Sequence, residues 1–151
     1  MAGMKTLFYG LIVLTAAGLM AAEPSKQDLI KKDTDEIQGT WKLTALEADG
    51  QQAPPEIVAT LKLVFKGDTL AFTPGEPGFT NYKFKLDPTT KPARITMTHA
   101  DGTHQGEAEM GIYLLNGDHL KICVGAAGKV PGEFTTRTKS GQGMYSLERI
   151  K

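Results

Sequence analysis

From Trp41 onward, apolar and polar residues alternate with a period of two in a series of short runs, the pattern of strands with one covered face. Trp41, Leu43 and Ala45 share one face of the first run, and Lys42 and Thr44 the other. The next runs place Leu61, Leu63 and Phe65 inward, then Leu70 and Phe72, with Gly67-Asp68 as the tight turn between them. Phe79 to Leu86 has the cleanest alternation, with Tyr82, Phe84 and Leu86 against Asn81, Lys83 and Lys85. Ile95 and Met97 mark a fifth inward set and Ala108, Met110, Ile112 and Leu114 a sixth. Asn116-Gly117 signals a hairpin into Leu120, Ile122 and Val124. Tyr145, Leu147 and Arg149 close the series, with a short extra strand expected at Glu133 to Thr136.

Ahead of these runs the period is helical. Ser25 and Asp28 form a capping-box-like start, Leu29, Ile30 and Ile37 give a sparse apolar face, and Gly39 stands where a helix end favours a left-handed residue. So weak a helix is expected to dock on the strands rather than stand free. Pro54 and Pro55 open one further helical turn through Glu56 and Ile57.

Eight strands in sequence, with no helix long enough for a parallel crossover, predict an all-β fold: an antiparallel up-and-down barrel with a short N-terminal helix, which removes both sheet edges. A sandwich is the alternative. The connections support a barrel because they alternate in character. Those at Gly67-Asp68, Asp87 to Pro92 and Asn116 to Asp118 are compact, whereas 48–60, 74–78, 99–106 and 125–143 are looser. One end is therefore tied and the other loop-rich, and binding is expected at the loop-rich end. The same geometry brings Arg149 beside Trp41, with the guanidinium on the indole face.

The first 22 residues differ from the rest. Lys5 precedes an apolar run from Leu7 to Met20, then Ala21 and Ala22. That run of about 14 residues is short of the ~20 a spanning helix needs, so it reads as a secretory signal peptide over 1–22, with no stable membrane insertion after cleavage. Residues 23–38 then form the helical segment and 39–151 the barrel domain, secreted or periplasmic. Cys123 is the single cysteine, which excludes an internal disulfide, and it reads as a small filler in a strand.

Charge and motifs narrow the chemistry. Seventeen basic and 17 acidic residues balance along the chain, without the basic footprint of a nucleic-acid binder. His99, Asp101 and His104 share a loop, with His119 elsewhere, but their spacing fits no tight metal motif. Ser140 and Cys123 have no histidine placed beside them, and there is no nucleophile elbow or phosphate-binding glycine loop. Pairs such as Asp33 with Asp35 and Glu107 with Glu109 read as solvated faces. The chain therefore reads as a non-enzyme with neither cofactor nor metal, and as a monomer.

Several segments together resemble a known family: Ile37-Gln38-Gly39-Thr40-Trp41-Lys42, Leu61 to Asp68, Lys85 to Pro92, and Gly111 to Asp118 with Leu120 to Cys123. Gly39, Trp41 and a late arginine, Arg149, are similar to the lipocalin signature. Over residues 29–150 the chain resembles an uncharacterised lipocalin-like domain family abundant in planctomycete bacteria. The resemblance implies an exported eight-stranded barrel without an assigned activity. By analogy with lipocalins it suggests a small apolar or amphipathic ligand held by the barrel interior and mouth at Phe65, Phe72, Tyr82, Met97, His99, Met110 and Tyr145. The alternative is a filled barrel acting as an interaction or inhibitor module toward another exported protein, with Phe79, Val130 and Phe134 forming an apolar patch.

Overall fold

The computed structural model describes residues 18–73 and 80–151. Most of the expected leader and the loop at 74–78, with Phe79, lie outside the described residues. Among the described residues no helix is long and apolar enough to cross a membrane.

The fold is a closed antiparallel barrel of the up-and-down, lipocalin-like kind. Its staves are β1 (Gly39–Ala48), β3 (Lys62–Lys66), β4 (Thr69–Phe72), β5 (Asn81–Asp87), β6 (Arg94–His99), β7 (Ala108–Asn116), β8 (His119–Val124) and β9 (Gly143–Arg149). Each pairs with the next, and β9 pairs back onto β1 to close the ring. A two-residue strand, β2 (Gln51–Gln52), extends β1 as a hairpin, and the one-turn helix α2 (Pro55–Val58) follows it. Residues 133–136 form no strand.

Helix α1 (Lys26–Glu36) starts in a complete capping box between Ser25 and Asp28. It lies across the tied end and is fastened to each tight turn there. Gln38 bonds the Gly67 backbone, Lys26 pairs with Asp87 at 3.1 Å, and Arg149, which caps the helix, also pairs with Asp118 at 3.2 Å. Tyr113 reaches out of the barrel to donate to Asp33 of the helix. Ile37, fully buried, seals that end.

Above the helix the interior is packed. Trp41, Leu63, Phe65, Leu70, Ile95, Ile122 and Leu147 are each 2% exposed or less and belong to one core. Phe65 meets Phe84 edge to face at 5.1 Å, an arrangement that adds about 0.5–1.5 kcal/mol beyond burial. Gly111 faces this core opposite Ile95, and a methyl group there would meet the Cys123 carbonyl oxygen at 2.6 Å.

Two strands depart from the expected phase. In β1 the register shifts between Leu43 and Ala45, so Leu46 rather than Ala45 packs on the core. A bulge adds one residue and reverses which parity points inward. In β7 the inward set is Glu109, Gly111, Tyr113 and Leu115, because these pair with the inward Met97, Ile95, Ile122 and Leu120. Met110 and Ile112 consequently lie on the outer face, and Leu114 there is 57% exposed.

Part of that outer face is covered. The connection at 125–142 turns back over it, and the Cys123 thiol, which points outward, donates to Thr135 O at 3.7 Å. Thr136 bonds both Glu47 and the backbone of Gly50, tying this strap to the β1–β2 turn. Cys123 and Ile112 are thereby fully buried without joining the barrel core.

Candidate functional site

The loop-rich end holds an open cavity of about 880 Å³. Its walls are the ends of β1, β6 and β8, the starts of β7 and β9, His104 and Glu107 of the loop between β6 and β7, and the glycine-rich ends of the strap at 125–128 and 141–143. At Gly125 a Cβ would fall 1.7 Å from Lys129 O, so only glycine allows the chain to fold back here and shape the wall.

Aromatic rings and imidazoles occupy this level of the barrel. Phe72 packs edge-on against Tyr82 at 5.9 Å and against Tyr145 at 5.6 Å. Tyr82 and His99 are direct cross-strand partners with ring centres 4.6 Å apart. His104, on the loop after β6, lies 5.7 Å from His99 and bonds Glu107 at 3.0 Å.

Glu109 is the hub of the polar groups. Its Oε1 sits 2.8 Å from His99 Nε2 and accepts from the Tyr82 hydroxyl at 3.4 Å. Burial, and then the Glu109 charge, push the phenols of Tyr82 and Tyr145 above the ordinary tyrosine range, so both stay neutral donors. His99 Nδ1 is buried and has no hydrogen-bond partner. An unpaired buried polar atom of this kind costs about 1–3 kcal/mol.

The expected ligand-contacting residues separate into three groups. His99 and Tyr145 line the cavity, and Phe72 and Tyr82 pack directly against them. Phe65 and Met97, each 2% exposed, are spent in the core. Met110 is excluded from the interior by the register of β7. Among the structural residues, Gly39, Trp41 and Arg149 do converge. Arg149 lies 4.3 Å from the indole centre, and its Nη1 is 3.3 Å from where a Gly39 side chain would begin.

Glu109 is the residue that sequence reasoning missed, because it was assigned to a solvated face. The hairpin could have found it. Asn116 pairs with His119 across Gly117-Asp118, which sets Leu115, Tyr113 and Glu109 on the face of Leu120 and Ile122. Asp101, by contrast, leaves the histidines and accepts from Asn81 at 2.7 Å. Among the described residues, no three histidine, cysteine or carboxylate groups converge as a metal site would require. Val130 and Phe134 are half-buried.

The fold and this mouth define the protein as a closed lipocalin-like barrel with one polar, open end. No family model matches the chain, and no curated protein or solved structure matches it.

Proposed function

We propose that this is an exported, non-enzymatic binding protein of the lipocalin-like type, holding a small amphipathic molecule in the loop-rich mouth. The resemblance to the planctomycete lipocalin-like domain family is part of the same proposal. The observation that carries it is the placement of the cavity: about 880 Å³ of open space begins where the packed core ends. Small-molecule sites combine such concavity with a few placed polar groups. Here those groups are His99, Glu109 and Tyr145. Because the core below is packed, the ligand sits in the mouth rather than threading the barrel.

The test is native mass spectrometry of the protein purified from its own host, followed by organic extraction. A small molecule released on denaturation is the expected result. An empty, folded protein that also fails to enhance the fluorescence of a hydrophobic probe would overturn the reading.

A further inference from the structure

We propose that the outer wall of the barrel, over β1 and β3 to β6, binds an acidic polysaccharide along a strip of lysines. The inference goes beyond the mouth and does not depend on it.

The charges that balance along the chain do not balance around the barrel. Leu63, Phe65, Tyr82, Phe84, Ile95 and Met97 are buried in the core, so Lys62, Lys66, Lys83, Lys85 and Arg94 stand on the outer face of β3, β5 and β6, and each is exposed. Lys42 joins them from β1. Against these cations the same wall carries Asp68, in the β3–β4 turn, and Asp87, which is already held by Lys26 of α1 and by Thr89. The outward residues of β7, β8 and β9 hold one cation and one anion, Lys121 and Glu148. Positive charge is therefore collected on one side of the molecule.

The register gives this strip its shape. Lys42 and Lys62 are direct cross-strand partners, with α-carbons about 5 Å apart. Like charges directly opposite each other destabilise a sheet, and Glu148, at 3.5 Å, pairs with only the first of the two. Lys66 and Lys83 flank Thr69 in one row across three strands, about 10 Å apart. Lys85 and then Arg94 continue toward the tied end, so the cations descend diagonally over successive strands. Among the described residues Lys62, Lys66, Lys85 and Arg94 have no ion-pair partner.

The residues between the cations point to the partner. Thr96 and Thr98 stand directly opposite Lys85 and Lys83. Ammonium and hydroxyl donors together suit the acidic groups and hydroxyls of a sugar chain. The exposed large apolar side chains among the described residues, Ile57, Leu114 and Ile150 with Leu19 and Met20, all lie off this wall. Among the described residues it therefore has neither an aromatic platform for stacked bases nor an apolar anchor for a bilayer, which favours a linear polysaccharide over nucleic acid or a lipid surface.

The experiment is isothermal titration calorimetry of the full protein with heparin, polygalacturonate, neutral dextran, polyadenylate and vesicles containing phosphatidylglycerol. Heparin and polygalacturonate are expected to bind and dextran to fail, with affinity falling at least about tenfold between about 50 and about 200 mM NaCl. Lys62→Gln with Lys66→Gln and Lys85→Gln is expected to weaken binding at least about tenfold, whereas Lys121→Gln with Lys129→Gln and Lys139→Gln, which removes the same charge elsewhere, changes it less than about threefold. Circular dichroism should show both triple variants folded, since all six side chains reach solvent. Equal loss in the two variants would mean that net charge rather than the wall binds, and overturns the proposal. Tighter binding of polyadenylate or of the vesicles than of either acidic polysaccharide overturns the assignment of the partner, and absence of binding overturns the site.

Discussion

Arg149 lies 4.3 Å above the centre of the Trp41 indole and donates from its two terminal nitrogens to the carbonyl oxygens of Gln38 and Glu36. One side chain thus covers the core tryptophan, satisfies carbonyls at the end of α1 and pairs with Asp118 in the β7–β8 turn. Arg149→Ala is expected to cost about 2–4 kcal/mol, combining lost charged hydrogen bonds with the lost cation–π contact. Arg149→Lys keeps the charge but not the planar fork, and should recover less than half. Urea unfolding followed by Trp41 fluorescence measures both.

Asp87 joins the helix to the β5–β6 turn. Hydrogen bonds from Thr89 and then Lys26 hold its carboxyl at about 2, below the ordinary value of 3.8. The folded state therefore releases this proton more readily, and the stabilisation is complete above about pH 4. It is lost as pH falls from about 4 through about 2. Thermal melts should show wild type and Asp87→Asn differing at pH 5 and converging toward pH 2.

Tyr82, Tyr113 and Tyr145 all titrate above the ordinary phenol range, chiefly through burial. Unfolded tyrosines ionise near pH 10. As pH rises past that value the unfolded chain binds fewer protons than the native one, so stability falls. Absorbance at 295 nm should show these three phenols resisting ionisation until the protein unfolds in alkali.

Gly111 tests how tightly the barrel is packed. An added methyl group meets the Cys123 carbonyl oxygen at 2.6 Å and Ile95 Cγ2 at 3.3 Å. Gly111→Ala is expected to destabilise by about 1–3 kcal/mol through overpacking. Chemical denaturation that leaves its stability unchanged would mean the wall yields at this level.

Cys123 reports on the strap. Burial raises its thiol above the ordinary value, and the strap backbone covers it. Ellman's reagent at pH 8 should react slowly with the native protein and at once in denaturant. Thr136→Ala, which unties the strap from Glu47 and Gly50, should speed the native reaction several-fold.

The closed barrel was legible because most strands have one parity that is apolar and one that is not. Tyr82, Phe84 and Leu86 against Asn81, Lys83 and Lys85 leave no choice of face. The alternation of tight and loose connections likewise placed Arg149 beside Trp41. β7 was not legible by parity, since Met110 to Leu115 is apolar on both faces apart from Gly111. One face is covered by the core and the other partly by the strap, so composition alone cannot rank them. Only the hairpin register decides, and with it the position of Glu109. The bulge in β1 leaves no mark in the alternation before it, and the strap binds through side chains rather than a ladder.

Closure of the barrel by β9 on β1 also has a kinetic side. The first stave has one neighbour nearby in sequence and the other at the far end of the chain. An arginine from that far end covers its tryptophan and caps the helix before it. Loop-closure entropy must be met before these contacts form, so assembly is governed by high contact order and belongs to the millisecond-to-second regime. A ribosome-bound chain lacking the ninth strand is then an open sheet with two unpaired edges, and its native state begins only when the last stave arrives.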